Sequence, residues 1–152
     1  MTMLTLNAGH LSEADSDLTE VSLADFENGV RPSGPFAIVA PNHVDVEALG
    51  AEALRADGVI LEFPVFSDGR AYSQAKLLRS RLKYAGQIRA RGDVLCDQVL
   101  FMARSGFDAF EIGDGAVDGF KAALGEFRHF YQSSADDVTT VIDRRHNRAA
   151  AA

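Results

Sequence analysis

Apolar positions recur along this chain with two periods, and the switching between them writes a strand and helix rhythm. Phe36-Ala37-Ile38-Val39-Ala40 is a short apolar run closed by Pro41-Asn42, after which Val46, Leu49, Ala53 and Leu54 return at helical spacing until Gly58. Asp45 and Glu47 suit the amino end of that helix. Val59-Ile60-Leu61-Glu62-Phe63 is the next strand run. A stripe of Ala71, Ala75, Leu78 and Leu82 follows it, with Lys76, Arg79 and Lys83 on the opposite side. Gly86 ends this helix. Gln87 to Arg91 reads as a third strand, Leu95, Val99 and Met102 as a third helical stripe, and Phe107 to Ile112 as a fourth strand. Val117, Phe120, Leu124 and Phe127 mark a last amphipathic helix.

This rhythm predicts an α/β fold in which four βα units form an open, mostly parallel sheet with helices on its faces. A half-barrel (β/α)4 that dimerises is the alternative, because four strands are too few for a closed eight-stranded barrel. Arg89 and Arg91 alternate with Ile88 and Ala90, unlike a strand buried on both faces. The third strand therefore reads as an edge.

Residues 1–33 differ from the rest. An early alternation, Met3-Leu4-Thr5-Leu6, predicts a short strand, and the Ser- and Asp-rich stretch after it reads as a loop. Arg31-Pro32-Ser33-Gly34-Pro35 breaks regular structure, since proline restricts its predecessor and glycine opens unusual backbone angles. The organisation that follows is an acidic amino-terminal arm over 1–33, an α/β domain over 34–132 and a flexible carboxyl-terminal tail over 133–152. Length and a hydrophobic content of 47% fit one domain with a substantial core.

Charge sharpens this division. The net charge of −7 includes Glu13, Asp15, Asp17, Glu20, Asp25 and Glu27, while residues 1–30 hold no Lys or Arg. Without those six acids, 16 acidic residues face 15 basic ones. A short basic patch, Arg144 to Arg148, precedes four alanines and reads as a solvated, frayed terminus rather than an RNA-binding tail. No apolar run approaches the roughly 20 residues of a membrane span, and no secretory pattern opens the chain. A cytoplasmic location is the expectation.

Candidate chemistry concentrates where strands hand over to helices, the place where parallel sheets bind ligands. In the first cluster, Gly69 allows a tight turn, Asp68 caps the helix or takes part in a site, and Arg70 offers a planar fork for an oxyanion. Ser73 and Gln74 add polar atoms. In the second, alternation places Arg89 and Arg91 on one side of a strand, Gly92 allows close approach, and Asp93 precedes Gln98. The arginines either converge on an anion or pair with Asp68 and Asp114, and Asp93 serves equally as a helix cap. The predicted ligand-binding residues are thus Asp68, Gly69, Arg70, Ser73, Gln74, Arg89, Arg91, Gly92, Asp93 and Gln98. Phe63, Phe66, Tyr72 and Phe101 offer walls for a pocket beside the first cluster.

Other chemistries lack their signatures. The first cluster has neither the Lys-Ser/Thr ending of a P-loop nor dinucleotide spacing. His10, His43, His129 and His146 form no metal-binding pair, no serine sits in a GxSxG elbow, and one cysteine forms no internal disulfide. Cys96 reads as a small packed residue on the third helix. No metal is expected, and no cofactor is identified.

FPVFSDGRAYSQAKLLRSRL, GQIRARGDVLCDQVLFMARSGFDAFEI and Phe130-Tyr131-Gln132 together resemble a bacterial family of unknown function, number 934 among such domains, labelled a probable oxidoreductase of sulfite reduction. The resemblance covers about residues 36–132 and includes Phe63, Pro64, Asp68, Gly69, Arg70, Ser73, Gln74, Arg89, Gly92, Asp93, Asp97 and Gln98. Joined to the oxyanion site read from the two clusters, it implies an accessory protein of assimilatory sulfate or sulfite reduction that binds an oxyanion or a reductase, either sulfite reductase or adenylylated-sulfate reductase. A small oxidoreductase using a soluble nicotinamide, and a purely protein-binding subunit, are the alternatives. The chain departs from the family pattern at Cys96 and Ser105, where arginine and cysteine are common, so no family-wide cysteine mechanism carries over.

Overall fold

A computed structural model describes residues 1–150 apart from 128 and 137, with side chains described as far as 147. Among the described residues, seven strands form one open mixed sheet in the order β2-β1-β7-β6-β5-β4-β3. The strands are β1 (Thr2–Asn7), β2 (His10–Glu13), β3 (Thr19–Ser22), β4 (Phe36–Ala40), β5 (Gly58–Phe63), β6 (Gln87–Gly92) and β7 (Ala109–Ile112). β3 to β7 run parallel, while β1 is antiparallel to both β7 and β2. Helices are α1 (Leu23–Glu27), α2 (Arg70–Ser80), α3 (Val99–Ser105), α4 (Val117–Leu124) and α5 (Val141–Ala150). The basic patch at the carboxyl terminus falls on α5, and the side chain of its last member, Arg148, lies outside the described set.

All four strands read from the apolar runs are present, but the first connection is not a helix. Between β4 and β5 the chain makes two 3₁₀ turns, Val46–Ala48 and Ala53–Arg55. Asp45 accepts the Glu47 N–H at 3.0 Å, Leu49 returns to an extended conformation, and Gly50 follows. Two short turns satisfy the stripe at helical spacing, because its four apolar contacts do not require a continuous helix.

Helices α1 to α4 line one face of the sheet rather than both. Strands β3 to β7 lie side by side in sequence order, so every right-handed crossover steps the same way and lands on the same side. Val59, Leu61, Phe63, Ile88, Ala90 and Phe110 pack there against Ala71, Ala75 and Leu78 of α2, Val99 and Met102 of α3, and Phe120 of α4. Leu23 and Phe26 of α1 extend that face over Val21 and Ile38. Arg79, expected on the solvent side of α2, instead reaches the Gly106, Tyr84 and Gly86 carbonyls and Asp108, tying α2 to the entries of β6 and β7.

The amino-terminal residues are built into the sheet. β1 and β2 form a hairpin through Ala8 and Gly9, both at positive φ, which matches strand twist in a two-residue turn. From β2 at one edge, Ala14–Leu18 cross the helix-free face to β3 at the other edge. Ser16 meets Arg89, and Leu18 lies over Gly58, which has no side chain to obstruct it. β6 is consequently an interior strand, not an edge. Its arginines are tolerated because the face they project from carries carboxylates instead of helices.

Candidate functional site

Arg89 and Arg91 project from β6 onto the crossed face. Arg89, only 2% exposed, donates to Glu20 at 3.1 Å and to Glu111 at 3.2 Å. Arg91 grips Glu111 through two 2.7 Å hydrogen bonds and also meets Glu20 at 2.5 Å. Two arginines and two glutamates thus balance. Burial works against the ionised Glu111, yet hydrogen bonds from Arg91 and Arg89 hold its carboxyl below the usual range. The partners foreseen in sequence are not the partners found: Asp114 pairs with the amino terminus at 2.7 Å, and Asp68 pairs elsewhere.

The remaining predicted residues sit at the carboxyl ends of β5 and β6, in two linked groups. Asp68 accepts from Arg70 Nη2 at 2.6 Å, Arg70 Nε at 3.0 Å and the Arg70 N–H at 3.2 Å, and from Asn42 at 2.7 Å. Asp68 thereby satisfies the first N–H of α2, while Gly69 occupies the position before the helix. The Arg70 guanidinium is the main cause that brings the Asp68 carboxyl down to about 2. A carboxyl-carbon NMR titration should therefore find a midpoint near that value, and Arg70→Gln should move it back up. Gln74 is buried and faces inward, donating to the carbonyls of Pro41 and Val44 at 3.0 and 2.8 Å. Ser73 points to solvent.

In the second group the β6–α3 connection clamps the β5–α2 loop. Asp93 does not cap a helix; its Oδ2 accepts the Phe66 N–H at 3.0 Å, and Gln98 Nε2 donates to the Phe66 carbonyl at 3.2 Å. Both backbone groups of Phe66 are fixed, yet its side chain is 51% exposed. Val65, next to Phe66 in the chain, and Leu95, two positions after Asp93, are also exposed. Phe63 enters the core against Tyr72 and Phe107, and Phe101 faces solvent, so the four predicted aromatics do not wall one pocket. Cys96 lies in the 3₁₀ turn Cys96–Gln98 ahead of α3 and is exposed rather than packed.

Residues 37–142 match the family described as bacterial protein of unknown function (DUF934). The chain belongs to that family. No curated protein and no solved structure matches it. Within this family member, the long motif from Phe63 to Gln98 builds the clamp around Phe66, and Arg89 from the same motif anchors the crossed face. The match starts at residue 37, so Glu20, which completes the arginine network, lies outside it. Its role was hidden in sequence because an isolated acid in an acidic stretch gives no sign of a partner 69 positions away. No helix here is long and apolar enough to cross a membrane among the described residues.

Proposed function

We propose that this chain is an accessory protein of assimilatory sulfate or sulfite reduction that docks on a reductase through the carboxyl-edge loops of β5 and β6. The observation that carries this reading is Phe66: an exposed aromatic whose N–H and carbonyl are both held by side chains of the neighbouring connection. A backbone held in place before binding has less freedom to lose on contact, and large aromatic side chains such as phenylalanine contribute heavily to interface energetics. The pathway rests on the family resemblance alone.

Between the two forms of the proposal, reductase docking is favoured over oxyanion binding. An oxyanion at Arg70 has to compete with Asp68, which already takes the guanidinium through Nε and Nη2, and Arg89 and Arg91 are likewise committed to Glu20 and Glu111. The test is biolayer interferometry between the full chain and sulfite reductase or adenylylated-sulfate reductase. Phe66→Ala is expected to weaken binding at least tenfold, about 1.4 kcal/mol, with an unchanged melting temperature. Binding that survives the substitution rejects this surface, and binding to neither reductase rejects the assignment.

A further inference from the structure

The helix-free face holds a second group of charges that the arginine network does not use. Glu62 lies on interior strand β5, half-buried, directly opposite Arg91 in the parallel register. Arg91 nevertheless gives its hydrogen bonds to Glu111 and Glu20, and the two-arginine, two-glutamate network is balanced without Glu62. Among the described residues Glu62 has no ion pair and no side-chain hydrogen bond. A carboxylate on an interior strand, partly removed from water and without a hydrogen-bonded partner, favours an external cation.

Glu62 also lines a cleft of about 390 Å³ at the carboxyl ends of β3, β4 and β5, within the size range of small-molecule sites. Leu23, Val39 and Val44 supply apolar walls, and Glu27 and His43 stand at the same cleft. Neither Glu27 nor His43 is engaged by another side chain among the described residues. Among the described residues no lysine or arginine lines the space. A bare metal ion fits poorly, because no group of three or more side chains is placed to hold one among the described residues. Apolar walls with an unspent carboxylate instead suit an organic ammonium ion.

We propose that this cleft binds a small primary amine with an apolar body, its ammonium group on Glu62 and its body against Leu23, Val39 and Val44. The proposal is independent of reductase docking, which uses the loops after β5 and β6. The experiment is an NMR titration of the full chain with benzylamine, alongside benzyl alcohol and benzoate as neutral and anionic counterparts. Benzylamine is expected to shift the amides of Val39, Val44 and Glu62 in a saturable way, with benzyl alcohol and benzoate at least tenfold weaker. Glu62→Gln should weaken benzylamine at least tenfold. Glu126→Gln, which alters net charge equally on an exposed site, should change it less than twofold. Val39→Trp should fill the cleft and abolish saturation. A smaller loss in Glu62→Gln, an equal loss in Glu126→Gln, or comparable binding of benzyl alcohol overturns the proposal, as does absence of saturable benzylamine binding. Phe66→Ala leaves the titration unchanged, so failure here and failure of reductase docking are read separately.

Discussion

Arg89→Ala is expected to cost about 3 kcal/mol or more of folding free energy, in the range for breaking a buried ion pair. The substitution removes one of two cations from a set of four charges and leaves Glu20 and Glu111 sharing Arg91 alone. Glu111 is only 10% exposed, so water cannot replace what is lost. Ser16 loses its partner as well, and with it a tie between β6 and the segment crossing the sheet. Urea denaturation at neutral pH measures the deficit. A double-mutant cycle with Glu20→Ala tests the cause, because removing Glu20 relieves part of the unpaired charge. The double variant should be less damaged than the two single losses added together, by about 1 kcal/mol; additive losses would sink the network explanation.

Acid should narrow the gap. Glu111 has a depressed carboxyl in the folded protein, so its contribution is fully present above the ordinary glutamate value of about 4.3 and is lost as pH falls through the lower folded value. Below that window the carboxylate is neutral and Arg89 has less to balance. A deficit that stays constant from neutral pH into that window would show that Arg89 acts through packing alone.

The parallel core was legible because its strands are buried on their helix side and bounded by Pro41, Gly58 and Gly86, signals that act within a few residues. What escaped depends on distance along the chain. β3 has four residues with one buried position, Val21, and its place at the sheet edge follows from a five-residue crossing whose direction no local pattern encodes. The same crossing reversed the reading of β6: alternating arginines imply an edge only if no acid arrives from elsewhere, and Glu20 arrives from β3. Asp68, Gly69, Gly92, Asp93 and Gln98 lie at the end of β6 or in the connections after β5 and β6, where the strand-to-helix pattern puts them. Their partners did not follow from spacing. Asp93 resembles a cap in sequence, but Gly92 turns the chain so that its carboxylate meets Phe66 instead.

Gly92→Ala is expected to be the most damaging single-methyl addition along this edge, costing about 3 kcal/mol or more. Gly92 has a φ of +103°, where an L side chain is strained, and an added Cβ would stand 2.3 Å from the Phe63 carbonyl oxygen. That oxygen belongs to backbone and cannot swing aside. It already accepts the Asp93 N–H at 2.8 Å, and Phe63 and Gly92 form the last pair of the β5–β6 register. Relieving the clash therefore means separating the strand ends, which carries Asp93 away from the Phe66 N–H. Two readouts should move together: the urea midpoint should fall, and hydrogen exchange at the Phe66 amide should accelerate beyond the change set by global stability. Gly9→Ala supplies the comparison, since Gly9 also has positive φ but has nothing within 4 Å of an added Cβ. Its loss should stay near the conformational cost alone, about 1 kcal/mol. Equal losses at the two glycines would mean that the contact with Phe63 adds nothing, and an unchanged Phe66 amide would separate the Gly92 turn from the clamp that presents the aromatic.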